Sequence, residues 1–326
     1  MRETSGFRNE VPDPVFSPLS SISRSLSLSS SVAPCLRGSI PPDGLVARIL
    51  YSSAVDGPGN RAVVFLQGCD FDCAYCHNPE TRNLCDHCGA CVGACAYGAL
   101  SVADGAGERR VRWDEGACRD CGACIRACPK GSSPKTRRMT PAEILSRLET
   151  RKPFLSGITV SGGECGLQAA FLEELAVAAR AAGLPALVDT NGSTDYSKLP
   201  RLVEAAEGFM LDVKAWDEGV HRALTLAGNA MVKRNLAFLA GAGKLAEARV
   251  VVLPGRVDAE ACVRGIAEIL RTGGAAGRGR TVLKLIAFRR EGVRPAQVAL
   301  PVPGREELEA LAALAGSEGL HDVVIV

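Results

Sequence analysis

No run in this 326-residue chain stays apolar for the roughly 18 residues that would suggest a membrane-spanning helix. Net charge is nearly absent as well. The formal value is +2, so bulk electrostatics points to neither nucleic acid nor a membrane surface as a partner. A secretory signal, with a basic start and an apolar stretch, is missing too. Acidic residues vanish between Asp13 and Asp43, where "SPLSSISRSLSLSSSVAP" is rich in serine. Such a segment buries too little apolar area to offset its ordering entropy, so residues 1–44 are expected to be disordered. Composition alone leaves two origins open. One is an organelle transit peptide; the other, favoured here, is a start assigned too far upstream, with the protein beginning near Leu45.

Cysteine is abundant. There are 14, and eleven of them fall between Cys69 and Cys128 in three close-spaced runs. Disulfide scaffolds belong mostly to small secreted chains without a core, whereas this chain is large and 47% hydrophobic. A reducing, cytoplasmic setting and metal ligation are therefore expected.

From Leu45 onward, strand-like and helix-like segments alternate. Apolar, β-branched runs occur at residues 62–68, 157–163, 186–192, 209–215, 249–255 and 282–288, and "DVVIV" (322–326) adds a short last one. Between them, "TPAEILSRLE" carries a capping box, with Thr140 as N-cap, Pro141 at the first helical position and Glu143 three residues after the cap. "QAAFLEELAVAARAAG" and "AEACVRGIAEILRTGG" have helical spacing and end in glycine. Repeated βα units with near-continuous apolar strands imply a parallel sheet covered by helices. The expected fold class is α/β, as a partial barrel or a doubly wound sheet, with residues 45–82 and 132–326 in that domain.

Residues 83–131 interrupt the rhythm with two copies of C-x2-C-x2-C-x3-C, about 33 residues apart. The spacing matches the bacterial ferredoxin run, including the terminal C-P (Cys128-Pro129) in the second copy; Ala96 replaces that proline in the first. In such pairs the fourth cysteine of each run serves the other cluster. Cys85, Cys88, Cys91 and Cys128 are thus expected to hold one 4Fe–4S cluster, and Cys118, Cys121, Cys124 and Cys95 a second. Structural zinc is the competing reading, but zinc sites space their cysteine pairs further apart. His87, between ligands, is expected to face solvent.

The third run, "CDFDCAYC", places Cys69, Cys73 and Cys76 at the C-terminal end of the strand "AVVFLQG". That rim is where parallel α/β folds assemble their chemistry. Three thiolates leave one iron of a four-iron cubane without a protein ligand, by the logic of a catalytic metal site that keeps an open position. Further motifs fall at successive strand ends: "SGGE" (161–164), "DTNG" (189–192), "MLDVK" (210–214) and "VVLPG" (251–255). Upstream, "VDGPG" precedes the first strand; its G-x-G-x-x-A pattern fails as a dinucleotide fingerprint because a strand, not a helix, follows.

The three-cysteine loop, with Tyr75 before its last cysteine, resembles the signature of radical S-adenosylmethionine (SAM) enzymes. With "VDGPG", "FLQGC", "YCHNP", "SGGE", "DTNG", "LDVK" and "VVLPG", the chain from about Leu45 to its end resembles the glycyl-radical-enzyme activases, the pyruvate formate-lyase activase family. The insertion and "GITVSGGE", "MLDVKAWD" and "IAFRREGV" look most like its YjjW-type subset. The resemblance implies a partial (β/α)6 TIM-type barrel with an inserted ferredoxin-like two-cluster module, so three 4Fe–4S clusters and SAM as cofactors. It implies reductive cleavage of SAM to methionine and a 5′-deoxyadenosyl radical, which takes a hydrogen from a glycine of a partner glycyl-radical enzyme. Flavodoxin or ferredoxin would supply the electron.

By motif, Cys69, Cys73 and Cys76 would hold the catalytic cluster and Tyr75 would lie near the adenine. Gly162, Gly163 and Glu164 would line the methionyl end. Asp189, Thr190, Met210 and Asp212 would match a monovalent-cation site, and Lys214 would support SAM or the partner's loop. Arg289 stands where the family often has a histidine near SAM. Core packing is the expectation for Cys165 and Cys262, and solvated surface for His221 and Asp217. Two other functions stay open: a radical SAM enzyme acting on a small molecule, and an iron–sulfur electron carrier. The DGPG segment argues against the first; the three-cysteine loop and "SGGE" have no role in the second.

Overall fold

The structure is a computed structural model that describes residues 42–105, 108–273 and 281–326. Cys35 and the Ser-rich segment lie outside the described residues. From Gly44 the chain is already in a strand.

In chain order the elements are β1 (Gly44–Ser53), β2 (Arg61–Leu66), β3 (Leu100–Gly105), β4 (Glu108–Trp113), α1 (Ala123–Arg126), β5 (Arg137–Met139) and α2 (Pro141–Leu148). Then come β6 (Gly157–Gly162), α3 (Ala169–Ala181), β7 (Ala186–Thr190), α4 (Pro200–Ala205), β8 (Gly208–Asp212), α5 (Glu218–Thr225) and α6 (Ala230–Gly241). The chain closes with β9 (Leu245–Val252), α7 (Ala259–Thr272), β10 (Val282–Ala287), α8 (Arg305–Ser317) and β11 (Val323–Ile325). Nine strands form one sheet in the order β11-β10-β9-β8-β7-β6-β2-β1-β5. From β2 to β11 in that order, neighbours pair in parallel. This gives six strand–helix units and a short seventh strand, the partial (β/α)6 arrangement. Its edges, β5 and β11, are not paired to each other.

The capping box forms as its sequence demands: Glu143 N donates to Thr140 Oγ1 (3.3 Å) and Thr140 N to Glu143 Oε2 (2.7 Å). Such a cap contributes about 1 kcal/mol. Strands β1 and β5 carry no continuous apolar run. β1 is half-buried in alternation and pairs antiparallel with β2 and β5, so it escapes a pattern tuned to buried parallel strands.

The parallel strands alternate two faces. Val64, Leu66, Ile158, Val160, Val188, Leu211, Val250 and Leu285 pack in the main core. Among the intervening positions, Ser161, Asp189, Asp212, Arg249 and Lys284 line a common cavity. The antiparallel β3–β4 hairpin lies between the two four-cysteine runs and packs a small core of Cys91, Leu100, Val111 and Cys124.

Candidate active site

The loop from Cys69 to Cys76 leaves β2 and crosses to α5. Asp72 N donates to Thr225 O and Ala74 N to Leu224 O, both at 2.8 Å. Phe71 and Tyr75 are buried anchors. Two arginines clamp the loop: Arg294 bonds Cys73 O (2.7 Å) and Asp72 (2.7 Å), and Arg82 reaches the other oxygen of Asp72 (3.2 Å). Cys69, Cys73 and Cys76 line a cavity of about 620 Å³, in the range of small-molecule sites. Burial pushes the Cys69 thiol up to about 12 and Cys73 to about 11, and raises Cys76. In the bare chain these groups are thiols. Holding them as thiolates requires positive charge, which a bound metal would supply.

The same cavity is lined by Tyr75, Gly162, Gly163, Asp189, Thr190, Asp212, Lys214 and Arg289. Tyr75 is buried, yet its hydroxyl has no partner, a polar atom left over for a ligand. The two glycines permit close approach of backbones. A Cβ on Gly163 would stand 2.1 Å from Gly68 O, and one on Gly162, at φ 119°, 2.3 Å from Leu66 N and O. Arg289 presents its carbonyl to His77 Nε2 (3.0 Å), so the strap after β10 closes over the cysteine loop.

Glu164 does not line the cavity. Its carboxylate is wholly buried and accepts from Gly166 N, Thr190 Oγ1 and Tyr196 OH on one oxygen, and from Asn191 N on the other. Burial still pushes it up to about 7. Its carboxylate ties the "SGGE" and "DTNG" turns together.

The expected cation site is also differently filled. Asp189 receives Arg249 Nη1 (3.0 Å) and Ser161 Oγ (2.8 Å), Thr190 points at Glu164, and Asp212 bonds Lys214 Nζ at 2.5 Å. Arg249 also meets Glu247 Oε2 (2.6 Å) and Met210 Sδ. Two fixed cationic side chains thus neutralise the carboxylates, and as placed the donor set does not fit a bound alkali ion. Burial works against the Lys214 charge, but Asp212 and the Tyr75 and Cys73 beside it keep its pKa well above the ordinary lysine value. Its ammonium lies 5.6 Å from the Tyr75 ring centroid.

Arg249 escaped the sequence reading because "RVVVLPG" looks like a plain apolar strand. The signal was the arginine opening it. Asn191 also went unassigned; its amide reaches Asp70 Oδ1 (3.1 Å) and lies 3.7 Å from Cys69 Sγ. His221 is not on the surface. It is fully buried, edge-on to Phe71 at 5.4 Å, with Nδ1 held at 2.8 Å to Ala227 O. Asp217 caps α5 by accepting from Val220 N. Cys262 is core, and Cys165 is buried with its thiol on Asp189 O (3.3 Å).

The insertion repeats itself in three dimensions. His87 and Asp120 occupy equivalent places in their C-x2-C turns, and both have left-handed backbone (φ 57° and 49°). Each turns its N–H to the first cysteine of its run, Cys85 Sγ and Cys118 Sγ, at 3.4 Å. Hydrogen bonds to sulfur are one lever on a cluster's potential. The His87 ring is engaged, accepting from Val111 N (3.2 Å), rather than facing solvent. Cys95, Cys118, Cys121 and Cys124 line one small cavity together. Burial raises the Cys91 thiol to about 11, and the neighbouring Cys85, Cys124 and Cys128 add to that shift. Among the described residues, no three His, Cys, Asp or Glu side chains are gathered tightly enough to hold a single metal ion. No helix among them is long and apolar enough to cross a membrane.

The α/β partial-barrel fold is shared with known proteins. The model of the radical SAM superfamily matches residues 63–262. The SAM-bound SuiB of Streptococcus suis shares the fold, with a TM-score of 0.51 at 10% identity over 80% of this chain and 48% of that one. The chain belongs to the radical SAM superfamily. The choline trimethylamine-lyase activating enzyme of Oleidesulfovibrio alaskensis is 33% identical over 70% of this chain and 78% of its own length. An isethionate sulfite-lyase activating enzyme of Desulfovibrio desulfuricans is 30% identical over 70% and 79%. Within the superfamily, the chain is one of the glycyl-radical enzyme activating enzymes.

Proposed function

We propose that Cys69, Cys73 and Cys76 hold the SAM-binding 4Fe–4S cluster of this activase, and that the cavity beside them receives SAM. When bound, cluster and SAM supply the one-electron cleavage that yields methionine and a 5′-deoxyadenosyl radical, which takes a hydrogen from a glycine of a partner enzyme. The observation that carries the reading is the cavity itself: three thiols, an unpartnered tyrosine hydroxyl and a buried lysine converge on one space large enough for a nucleoside.

The chain's own groups have separable tasks. Gly162 and Gly163 let the turn after β6 pack directly against the end of β2 and the root of the cysteine loop, which fixes the wall of the cavity. Lys214 stands over Tyr75 and orients the polar end of the ligand. Arg249 and Asp189 set a polar floor in place of the alkali ion that the family resemblance suggests. The strap of Arg289 to Arg294 covers the loop and excludes water. The inserted segment 83–131 is a ferredoxin-like module holding two further clusters, with a small one-electron carrier such as flavodoxin or ferredoxin as its reductant. A glycyl-radical enzyme is the protein substrate.

The test is to incubate anaerobic, reconstituted protein with SAM and dithionite, with and without candidate glycyl-radical proteins. The expected result is 5′-deoxyadenosine plus a glycyl EPR doublet on one candidate. Nucleoside without a doublet on any candidate would favour a small-molecule substrate. No nucleoside at all would contradict the site.

A further inference from the structure

Three cysteines from three different runs are fastened to one knot of hydrogen bonds. Gln67 Nε2 donates to Asn83 O at 2.7 Å and to Glu80 O at 2.8 Å. Asn83 Nδ2 donates to Lys130 O (2.6 Å), and Ser132 Oγ to Asn83 O (2.7 Å). Gln67 lies two residues before Cys69, Asn83 two before Cys85, and Lys130 two after Cys128. Two residues span at most about 7 Å of chain. The knot therefore holds the root of the three-cysteine loop against both ends of the seat made by Cys85, Cys88, Cys91 and Cys128.

A second set of contacts runs alongside. Cys69 N donates to Arg82 O at 2.9 Å, and Arg82 Nε reaches Phe71 O (3.3 Å) while its guanidinium pairs with Asp72 (3.2 Å). From Arg82 the chain takes three residues to Cys85. Between them, Leu84 passes beside Gly68: a Cβ there would lie 3.6 Å from Leu84 Cδ2. The seat of Cys95, Cys118, Cys121 and Cys124 adjoins the first one through the packed pair Cys91 and Cys124. Its route to the three-cysteine loop passes through more links: from Lys135, which lines its cavity, by Lys135 N to Ser133 Oγ (3.2 Å) and Ser133 N to Glu80 O (3.0 Å), and only then to Gln67.

We propose that the Cys85/Cys88/Cys91/Cys128 seat is the immediate electron donor to the Cys69/Cys73/Cys76 cluster, and that the Cys95/Cys118/Cys121/Cys124 seat is the port of entry. Electron tunnelling falls off steeply with distance, so the order of proximity sets the order of transfer. The step moves one electron. The donor seat's cluster is oxidised by one, the SAM-binding cluster is reduced by one, and a low-potential one-electron reductant refills the port. The proposal rests on the cluster assignments above and adds their wiring.

Two double variants of the holoenzyme test it, Cys85→Ala/Cys88→Ala and Cys118→Ala/Cys121→Ala, with iron analysis to confirm that each keeps about two of three clusters. Both are reduced with dithionite and examined by EPR, where neighbouring paramagnetic clusters broaden one another. The port variant is expected to keep the broadened signal of the SAM-binding cluster, and the donor variant to show it as an isolated, narrow signal. After rapid mixing with reduced flavodoxin, the SAM-binding cluster should be reduced at least tenfold more slowly in both. The reverse pattern of broadening, or an isolated SAM-binding signal already in the unmutated enzyme, would overturn the wiring. Failure of the underlying assignment looks different: added SAM would leave the EPR of every form unchanged.

Discussion

Arg249 is the residue on which the floor of the cavity turns. It is almost fully buried between Asp189 and Glu247, and removing one partner of such a group leaves charge uncompensated in the interior. Arg249→Gln is expected to lower unfolding stability by about 3–5 kcal/mol, read as a lower urea midpoint. His221 makes a second case. Burial depresses its pKa below the ordinary histidine value. The unfolded chain therefore binds more protons below about pH 6.5, so the stability that neutral His221 contributes is present above that pH and is lost as pH falls through the folded pKa. Denaturant midpoints taken at pH 7 and pH 5.5 should fall less in His221→Phe than in the unmutated protein. Neither role was legible in the sequence, because a lone arginine opening an apolar run and a lone histidine on a helix look like surface residues until the tertiary neighbours are known. The cysteines were legible because ligand geometry writes itself into spacing. Glu164 was half legible: its motif marked the site, but only the structure shows its carboxylate bonded into the turn after β7.

Among the elements, the C-terminal ends of β2, β6 and β7 carry the design. The turn after β6 passes so close to the root of the cysteine loop that Gly163 has no room for a side chain; its added Cβ would meet Gly68 O at 2.1 Å and Thr81 O at 3.0 Å. Gly163→Ala should therefore displace the cysteine loop, and iron content after reconstitution should drop by about four per chain while the insertion keeps its own. Gly241→Ala, at the end of α6 with open space around it, is the matching control. It should be neutral or stabilising by up to about 1 kcal/mol in urea unfolding. The parallel strands and α2, α3 and α7 could be read from apolar runs and capping residues. β1 and β5 could not, since their pairing is antiparallel, their burial partial, and their register set by contacts far away in sequence.

Across the whole molecule, eleven cysteines serve two regions that share one root, where Gln67, Asn83 and Lys130 meet. If all three seats hold 4Fe–4S clusters, iron analysis should return about twelve irons per chain, and changing Cys69, Cys73 and Cys76 together to Ala should remove about four. That variant should lose SAM cleavage entirely, measured as 5′-deoxyadenosine. The repeated four-cysteine spacing announced the insertion, but not how its two seats face the barrel, since hydrogen bonds between distant loops leave no periodic trace in sequence. The most direct measurement of the central claim is electron–nuclear double resonance on the reduced enzyme with SAM labelled by 15N at its amino group and 17O at its carboxylate. Both labels should couple to the cluster held by Cys69, Cys73 and Cys76. A spectrum without either coupling, from protein that carries that cluster fully reduced and saturated with SAM, would contradict the account.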